Sequence, residues 1–482
     1  MALTADVILY LEAPVLVVDP SAIDLGPLSA ILCKKQPPQG DANDNLLQIR
    51  SSRTGHILAR GPLSHGKIWP VSAESVRVLL PTLTGQEATF ELNCAQAPQA
   101  AQELREVMLQ RQDSKTEAGS ANLYFHYYGM LQHQQNMLQD YVRTATYYAA
   151  IMENQADFAG KVVMDVGAGT GILSLFAAQA GARKVYAVEA SNMAQYARTL
   201  ATANPDLGSR IEVLHTKVED IADSAIEKVD ILVSEPMGTL LVNERMLETY
   251  LYARDRFLKP GGRMFPRLGR IHVAAFSDEC LYAEMVSKAT FWIQQHYFGV
   301  DLTPLYAPAL AGYFSQVVVD AIDPRVLVSE CATRAFNFDS IDESELHEIN
   351  IPLSFQISRM CNVHGLACWF DVLFAGSAAE RWLSTAPFLQ TTHWFQLRCI
   401  LQQPLAVQAG AIVSGSMRMV AHDRQSYDIY LILQAPATQP GLPPQIASGK
   451  LDLKEPIYRQ LQQYQQPTTD PVDSFAPTAG LK

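Results

Sequence analysis

The sequence predicts an α/β fold built around an open parallel sheet, and two observations support that prediction. Short apolar runs alternate with helical stretches between residues 162 and 234, which is the order of βαβ units. The first run ends in a turn with glycine at every second position, at Gly167, Gly169 and Gly171. Such a turn lets backbone N–H groups approach a ligand at the start of a helix. Tight packing alone is the alternative explanation of the turn.

Length and composition indicate a globular protein of several domains. The chain has 482 residues, of which 48% are hydrophobic and 18% are charged. Its 37 Lys and Arg residues against 49 Asp and Glu residues give a net charge of −12. This charge disfavours a dedicated nucleic-acid binder and favours a basic partner.

The seven cysteines are scattered, with no C-x-x-C pair, so we expect free thiols in a reducing compartment. The N-terminus has no basic segment ahead of its apolar run, and no apolar stretch is long enough to span a membrane. We therefore expect a soluble intracellular protein. The sequence by itself does not separate the nucleus from the cytosol.

Residues 1–112 are predicted to form a separate β domain, because short apolar runs in it are broken by Pro, Gly and Asp. An amphipathic helix over Pro98–Gln110 would close it. In architecture alone, this segment resembles a pleckstrin-homology-like module. The expected strands are Val7–Leu11, Pro14–Val18, Leu46–Ile49, Val76–Leu80 and Ala88–Leu92.

A second domain is expected over residues 113–266. It opens with a polar linker and the aromatic segment Tyr124–Gly129, which suits either core packing or a lid over a flat ligand. A helical pattern then runs through Asn136–Arg143. Four strands of the parallel sheet follow, predicted at Val162–Val166, Lys184–Val188, Arg210–Leu214 and Val229–Ser234.

Three acidic residues and the glycine turn coincide with the ends of these strands. In an open parallel sheet the ligand lies outside the carboxyl ends, where Gly167, Glu189, Glu219 and Glu235 all fall. Glu189 can accept hydrogen bonds from ribose hydroxyls, and Glu219 can face the adenine. Because the glycine spacing differs from G-x-G-x-x-G, we favour S-adenosylmethionine over a nicotinamide cofactor. Each acidic residue taken alone also fits a solvated loop.

The loop from Ser234 to Glu248 carries the feature that points to a reaction. Two glutamates, Glu235 and Glu244, delimit the central part of this loop. Two carboxylates that converge on one site are costly unless a cation lies between them. A guanidinium suits this position, because its planar donors match carboxylates. Gripping one end of the guanidinium would leave electron density on the remaining nitrogen, which could then attack a methyl group. Helix capping or surface exposure of the two glutamates is the alternative.

A second β domain is expected over residues 267–460, with a helical, aromatic insertion from Leu281 to Phe298, and residues 461–482 are expected to be a disordered tail. His393, within Thr392-His-Trp394, is of interest only if the fold brings it to the glutamate loop. Strand-like runs occur at Ile271–Ala275, Gln316–Val319, Ile351–Ile357, Cys368–Phe374, Trp394–Ile400, Ala411–Val420 and Ile429–Leu433.

These motifs together resemble the type I protein arginine methyltransferases, and most closely the coactivator-associated branch of that family. The resemblance covers about residues 123–433. It is carried by Tyr124–Gly129, Gln134–Arg143, Asp165–Gly171, Val188–Ser191, Ser234–Met246, Thr392–Trp394, Phe291-Trp292, Phe298–Asp301, Val363–Gly365 and Arg424–Asp428.

The resemblance implies a seven-stranded Rossmann-like methyltransferase domain, then a β-barrel domain with a dimerisation arm at about residues 281–321, in a head-to-tail homodimer. S-adenosylmethionine would be the methyl donor, S-adenosylhomocysteine the product, and no metal would be required. Arg143 would pair with the methionine carboxylate. The implied cofactor contacts are Gln134, Arg143, Gly167, Gly169, Glu189, Val218, Glu219, Thr249, Phe125 and Tyr128.

The implied catalytic set is Glu235 and Glu244 on the guanidinium, with His393 paired to Asp140 and able to accept the released proton. The implied substrate contacts are Met137, Met246, Tyr124 and Trp394. The product would be asymmetric dimethylarginine in histone H3 and in RNA-binding or transcription proteins, in the nucleus and cytoplasm, without direct binding of nucleic acid or membrane.

One departure from the family pattern lies in the glutamate loop, where an aromatic residue usually follows Met-Gly and this chain has Thr239. It leaves the shape of the substrate pocket and the turnover open. Two other functions compete with protein arginine methylation. One is methylation of a small molecule or another residue, which the double-glutamate loop disfavours, and the other is a catalytically weak or inactive scaffold, which Thr239 alone supports.

Overall fold

A computed structural model describes residues 124–459 apart from 223 and 440, and the backbone of eight strands before them. The chain divides into two compact units, Met1–Ser114 and Lys115–Lys482. Among the described residues, no helix has the length and apolar character to cross a membrane.

The first unit is rich in strands, as expected, and forms two four-stranded antiparallel sheets. Their orders are β1-β3-β4-β5 and β2-β8-β7-β6. The predicted helix Pro98–Gln110, the linker and the C-terminal tail lie outside the described residues, and the pleckstrin-homology likeness stays a prediction. The strands are β1 (Leu9–Leu11), β2 (Val15–Val17), β3 (Leu28–Cys33), β4 (Leu46–Ser51), β5 (Ile57–Pro62), β6 (Ile68–Pro70), β7 (Ser75–Pro81) and β8 (Glu87–Asn93).

The second unit opens with helical residues 124–128 and with α1 (Leu131–Gln139), α2 (Tyr141–Met152) and α3 (Gln155–Phe158). The predicted helical pattern through Arg143 is present, but it is divided between α1 and α2. Asp140 interrupts it with an extended backbone (φ −73°, ψ 90°), and its carboxylate caps α2 by accepting a hydrogen bond from the Arg143 N–H. Capping satisfies a helix-terminal N–H group, so the break costs little.

The predicted Rossmann-like sheet is confirmed, with the strand order β11-β10-β9-β12-β13 and all pairs parallel. It has five strands instead of seven, because the chain after β13 enters the antiparallel sheet. Its strands are β9 (Val162–Val166), β10 (Lys184–Val188), β11 (Ile211–Leu214), β12 (Val229–Ser234) and β13 (Leu258–Phe265). Its helices are α4 (Ile172–Gln179), α5 (Met193–Ala203), α6 (Pro205–Gly208) and α7 (Met246–Phe257).

The second β domain is a ten-stranded sheet in the order β16-β14-β18-β20-β15-β23-β22-β21-β17, with β19 paired to β18. The end strands β16 and β17 approach each other, so the sheet nearly closes into a barrel. Its strands are β14 (Leu268–Phe276), β15 (Gln316–Asp320), β16 (Ala332–Asn337), β17 (Glu348–Gln356), β18 (Cys361–Ala375), β19 (Glu380–Ser384), β20 (Gln396–Val407), β21 (Ile412–His422), β22 (Ser426–Ala435) and β23 (Gln445–Tyr458).

The expected helical insertion lies between β14 and β15. It consists of α8 (Glu279–Ala289) and α9 (Tyr306–Tyr313), with single 3₁₀ turns at Thr290–Trp292 and Thr303–Leu305. Asp278 caps α8 by accepting a hydrogen bond from the Leu281 N–H at 2.9 Å.

Asn154 joins the helical part of the second unit to the barrel. It is fully buried, and its amide group forms four hydrogen bonds of 2.9–3.1 Å with backbone groups of Ala150, Ala378 and Ala379. The last two residues form the turn between β18 and β19. Removing the amide would leave buried backbone groups without partners, which is costly.

We predict that Asn154→Ala lowers the free energy of unfolding by about 3 kcal/mol, since each unsatisfied buried group costs about 1–3 kcal/mol. Urea unfolding measures this change. The matched control is Arg381→Ala, which removes the neighbouring but exposed ion pair with Glu153 and should cost less than about 1 kcal/mol. Equal effects of the two substitutions would contradict the role of Asn154.

Candidate active site

The glycine turn follows β9 and lies against two other segments of the site. Gly167 (φ 71°) and Gly169 (φ 54°) have left-handed backbones that glycine adopts without strain. A Cβ on Gly167 would lie 2.1 Å from Met246 Cε, and one on Gly169 would lie 2.7 Å from Gln134 Oε1. The turn therefore depends on glycine for its backbone conformation, and the ends of the flexible Met246 and Gln134 side chains occupy the space beside it.

Glu189 at the end of β10 braces the turn. Its two carboxylate oxygens accept hydrogen bonds from the Gly169 N–H (2.8 Å) and the Ser191 N–H (2.7 Å). Each oxygen keeps a lone pair for a hydroxyl donor. Beyond β11, Glu219 accepts a hydrogen bond from Thr249 Oγ1 at 2.7 Å, beside the buried Val218.

Glu235, just beyond β12, is held by Arg143. The Nε and Nη2 atoms of Arg143 donate to Glu235 Oε2 at 3.1 and 2.9 Å, and both side chains are less than 10% exposed. The buried pair offsets the carboxylate charge. One residue before Glu235, the Ser234 carbonyl accepts a hydrogen bond from the Tyr147 hydroxyl at 2.8 Å, which holds the start of the loop in place.

Glu244 is the second carboxylate, and its backbone is left-handed (φ 74°), an unusual conformation for a non-glycine residue. Tyr128 donates its hydroxyl proton to Glu244 Oε2 at 2.8 Å. Burial raises the pKa of Glu244 to about 7, which the Tyr128 hydrogen bond opposes and the charge of Glu235 reinforces. Lys454 on β23 acts in the opposite direction.

Side chains not singled out by the sequence shape the loop between the two glutamates. Asn243 Oδ1 accepts a hydrogen bond from the Leu240 N–H at 2.7 Å. Arg245, also left-handed, binds both carboxylate oxygens of Glu248. Asn243 and Arg245 both lie within the segment Ser234–Met246 that carries the family resemblance, so the sequence pattern could have indicated them.

Another contact missed at the sequence level is that between Tyr458 and Thr239. Tyr458, the last residue of β23, has its hydroxyl beside Thr239, and partial burial of that hydroxyl together with the charge of Glu244 raises its pKa. Thr239 is the position where an aromatic residue was expected, and the aromatic ring beside it comes from a distant strand. No local sequence signal indicates this contact.

Asp140 and His393 meet as predicted. The Asp140 Oδ2 atom accepts hydrogen bonds from both the Nδ1 atom (2.7 Å) and the backbone N–H (2.8 Å) of His393. Burial raises the pKa of Asp140, but the hydrogen bonds from His393 and Arg143 outweigh it and leave the pKa below its usual value. Trp394 is buried and donates its indole N–H to the Met237 carbonyl at 3.0 Å, behind the glutamate loop.

The aromatic segment covers this region. The Tyr124 and Tyr128 rings are 4.7 Å apart, and the Tyr124 hydroxyl lies 3.7 Å from Met246 Sδ. Phe125 has the Lys217 ammonium over its ring. On α1, Gln134 donates to the Tyr128 carbonyl at 3.0 Å.

Met137 reaches the site through its backbone, because its carbonyl accepts a hydrogen bond from Arg143 Nη1 at 3.4 Å.

Two groups of acidic and histidine side chains have the spacing of metal ligands, but three of their four carboxylates already pair with arginine or lysine. In the first group, Glu248 is bound by Arg245. In the second, Asp428 pairs with Lys450 and Asp452 with Arg424. The two groups are Glu248, Glu343 and His347, and His422, Asp428 and Asp452.

The fold thus joins the predicted residues into one region. The glycine turn, Glu189 and the acidic residue after β11 lie at one end of the parallel strands, and the two-glutamate loop follows the next strand of the same sheet. Two features of this region fit an adenosine-containing cofactor. The glycines of the turn have no side chains to block a close approach, and the Glu189 carboxylate keeps lone pairs for ribose hydroxyls.

Comparison with known proteins agrees with this geometry. Residues 163–262 match the family described as "Methyltransferase domain", and residues 268–435 match "Arginine methyltransferase oligomerization subdomain". A rice protein (Oryza sativa subsp. indica) named probable histone-arginine methyltransferase CARM1 is 63% identical over 352 residues, which is 72% of this chain and 66% of the relative. The chain therefore spans just under two thirds of the length of that relative.

Two solved structures share the fold. The crystal structure of Arabidopsis thaliana protein arginine methyltransferase 10 has a TM-score of 0.61 and 33% identity, covering 68% of this chain and all of that one. The Trypanosoma brucei PRMT1 enzyme–prozyme complex with AdoHcy has a TM-score of 0.59 and 31% identity, covering 67% and 99%. The chain belongs to the protein arginine methyltransferases, a family of S-adenosylmethionine-dependent enzymes, as its motifs predicted.

Proposed function

We propose that this chain methylates arginine side chains of proteins, histone H3 among them, to monomethylarginine and asymmetric dimethylarginine. The observation that carries the proposal is the pair Glu235 and Glu244, whose carboxylates are withdrawn from solvent at one end of a parallel sheet beside a glycine turn. The names of the relatives point to histones, and the proposed action on histones would require the protein to be in the nucleus. A cytoplasmic fraction, RNA-binding and transcription substrates, and the absence of direct nucleic-acid and membrane binding remain predictions.

The domain limits 1–112, 113–266, 267–460 and 461–482 remain part of this proposal. S-adenosylmethionine supplies a methyl group activated by a sulfonium. Glu189 would hold its ribose and Arg143 its carboxylate. The other proposed cofactor contacts are Gln134, Gly167, Gly169, Val218, Glu219, Thr249, Phe125 and Tyr128.

The two glutamates would hold the substrate guanidinium by charge and by paired hydrogen bonds. Glu244 can bind a cation fully only when ionised, and a bound guanidinium would lower its raised pKa. Asp140 fixes the ring of His393, which would accept the released proton. Tyr124, Met137, Met246 and Trp394 are the proposed substrate-side residues, with Met137 and Met246 leaving room for two methyl groups on one nitrogen.

We predict that labelled S-adenosylmethionine and histone H3 give label on arginine, with asymmetric dimethylarginine as the final product by mass analysis. Glu244→Gln should lower the rate at least about a hundredfold, because it removes electrostatic stabilisation at the reacting group. The exposed Glu227→Gln, which removes a surface ion pair with Arg183, is the control and should keep full activity.

Label on lysine would contradict the proposal, and so would full activity of Glu244→Gln. A folded protein with no activity on any arginine substrate would favour the scaffold function instead. Symmetric dimethylarginine as the product would contradict the proposed role of Met137 and Met246.

A pH-dependent stability should follow from the raised pKa of Glu244. The carboxyl takes up a proton more readily in the folded protein, where its pKa is about 7, than in the unfolded chain, where it has its ordinary value of 4.5. The resulting stabilisation is fully present below pH 4.5 and is lost as the pH rises through 7. Wild type should thus lose about 2–3 kcal/mol relative to Glu244→Gln between pH 5 and pH 8.

Urea unfolding of the protein without cofactor or substrate measures this difference. The control Glu227→Gln should follow the wild type at both pH values. A constant difference between wild type and Glu244→Gln would show that the carboxyl is not destabilised by burial.

Head-to-tail homodimerisation through the arm, residues 281–321, is part of the proposal. Its support is a group of exposed apolar side chains on the arm, of which Phe298 is 92% exposed. The others are Phe291, Ile293, Val300 and Leu305.

We predict that the double variant Phe291→Asp, Phe298→Asp is monomeric by light scattering and has lower methyltransferase activity, because charges would oppose burial of the apolar surface. Met360→Asp is the matched control, since Met360 is 70% exposed and lies outside the arm. An unchanged dimer would contradict the role of the arm, and a fully active monomer would contradict its importance for activity.

A further inference from the structure

A second group of reactive side chains lies on β14, on β18 and just before β16, outside the proposed active site. We call Cys331, His272 and Asp371 the thiol cluster. Cys331 Sγ lies 3.7 Å from His272 Nδ1, and His272 Nε2 lies 3.0 Å from Asp371 Oδ2. His272 and Asp371 are buried, whereas Cys331, just before β16, is exposed.

The strand pairing holds these groups in place. His272 on β14 is opposite Thr333 on β16 and opposite Trp369 on β18, and its ring stacks on that of Trp369. The Thr333 hydroxyl lies 2.9 Å from His272 Nδ1 and 3.9 Å from Cys331 Sγ, so it shares the edge of the imidazole that faces the thiol. The imidazole is therefore fixed between the thiol and the carboxylate.

The charges around the thiol favour its ionised form. Arg270 binds Asp371 through two hydrogen bonds of 2.7 Å and lies over the Trp382 ring. A protonated His272 and Arg270 make two cations against one carboxylate, and a thiolate at Cys331 would balance them.

The titration of these groups agrees with the charge balance. The hydrogen bond from His272 lowers the pKa of Cys331 against the opposing effect of burial. Burial disfavours a charged His272, but its hydrogen bonds to Asp371 and Cys331 outweigh this and raise its pKa to about 9. At neutral pH the imidazole is thus protonated beside the thiol.

We propose that Cys331 is a nucleophilic thiol that is modified by peroxides, as a site separate from methyl transfer. The thiolate attacks one oxygen of hydrogen peroxide, the S–O bond forms and the O–O bond breaks. The sulfur is oxidised by two electrons to a sulfenic acid and the peroxide is reduced. The departing hydroxide takes a proton, which the imidazolium of His272 can supply.

The other described cysteines provide a contrast. Cys368 and Cys399 are buried, and the hydrogen bond to Cys399 with burial raises the pKa of Cys368. Cys280 on α8 is exposed like Cys331, but among the residues that the structure describes no histidine is hydrogen-bonded to it. Cys280 is therefore an internal control in the same molecule.

The test is alkylation of the full chain by iodoacetamide from pH 6 to pH 9, with the rate at each cysteine read by peptide mass analysis. At pH 6.5 Cys331 should react at least about tenfold faster than Cys280, because only thiolates react and an ordinary thiol has a pKa of about 8.5. Under dilute hydrogen peroxide, a sulfenic-acid trap such as dimedone should label Cys331 and not Cys280.

His272→Gln keeps hydrogen-bonding capacity at this position but cannot carry a charge. It should reduce the rate at Cys331 to that at Cys280 and leave Cys280 unchanged. If the variant does not fold, the pH profile of the wild type still decides, since the midpoint for Cys331 must lie below that for Cys280. Equal rates at the two cysteines across the pH range, or an unchanged rate at Cys331 in a folded His272→Gln, would overturn the proposal.

Discussion

The architecture of the site depends on the burial of two carboxylates in one loop. A buried carboxylate is costly unless it is paired or protonated, and the two glutamates are stabilised in different ways. Glu235 has the Arg143 guanidinium, whereas Glu244 has one hydrogen bond from Tyr128 and a pKa raised to about 7. A cation bound at Glu244 would therefore stabilise its ionised carboxylate. A guanidinium suits this position, because its planar donors match the two oxygens of a carboxylate.

The break at Asp140 connects this loop to the rest of the fold. One carboxylate caps α2, whose third residue is Arg143, and also binds the backbone and ring of His393. The Asp140 side chain thereby fixes the start of α2, and with it the positions of Arg143 and His393. Rotating α2 by even part of a turn would separate Arg143 from Glu235, so the local helix break is part of how the buried charge is balanced.

The sequence predicted those parts of the fold whose signals are local. Strands β9, β10 and β12 begin and end where expected, because each is a short apolar run bounded by glycine or acidic residues. The pairing of Asp140 with His393 followed from resemblance to a family. The contact of Arg143 with Glu235 was not predicted, because those residues are 92 positions apart and meet only after folding. β16, β19 and β23 were missed because their mixed composition has no clear apolar alternation.

The charge balance also explains why Arg143 and the loop should respond together when ligands bind. In the structure, Nε and Nη2 of Arg143 both donate hydrogen bonds to Glu235, and within residues 124–459 Nη1 has longer contacts of 3.4 Å with the Met137 carbonyl and the Thr144 hydroxyl. A cofactor carboxylate drawn to Arg143 would share its charge and leave Glu235 less compensated. A substrate guanidinium would then be bound more tightly, because it would meet two under-compensated carboxylates. If the cofactor binds Arg143 as proposed, cofactor and substrate binding would be coupled through this one arginine, and by linkage each would strengthen the other.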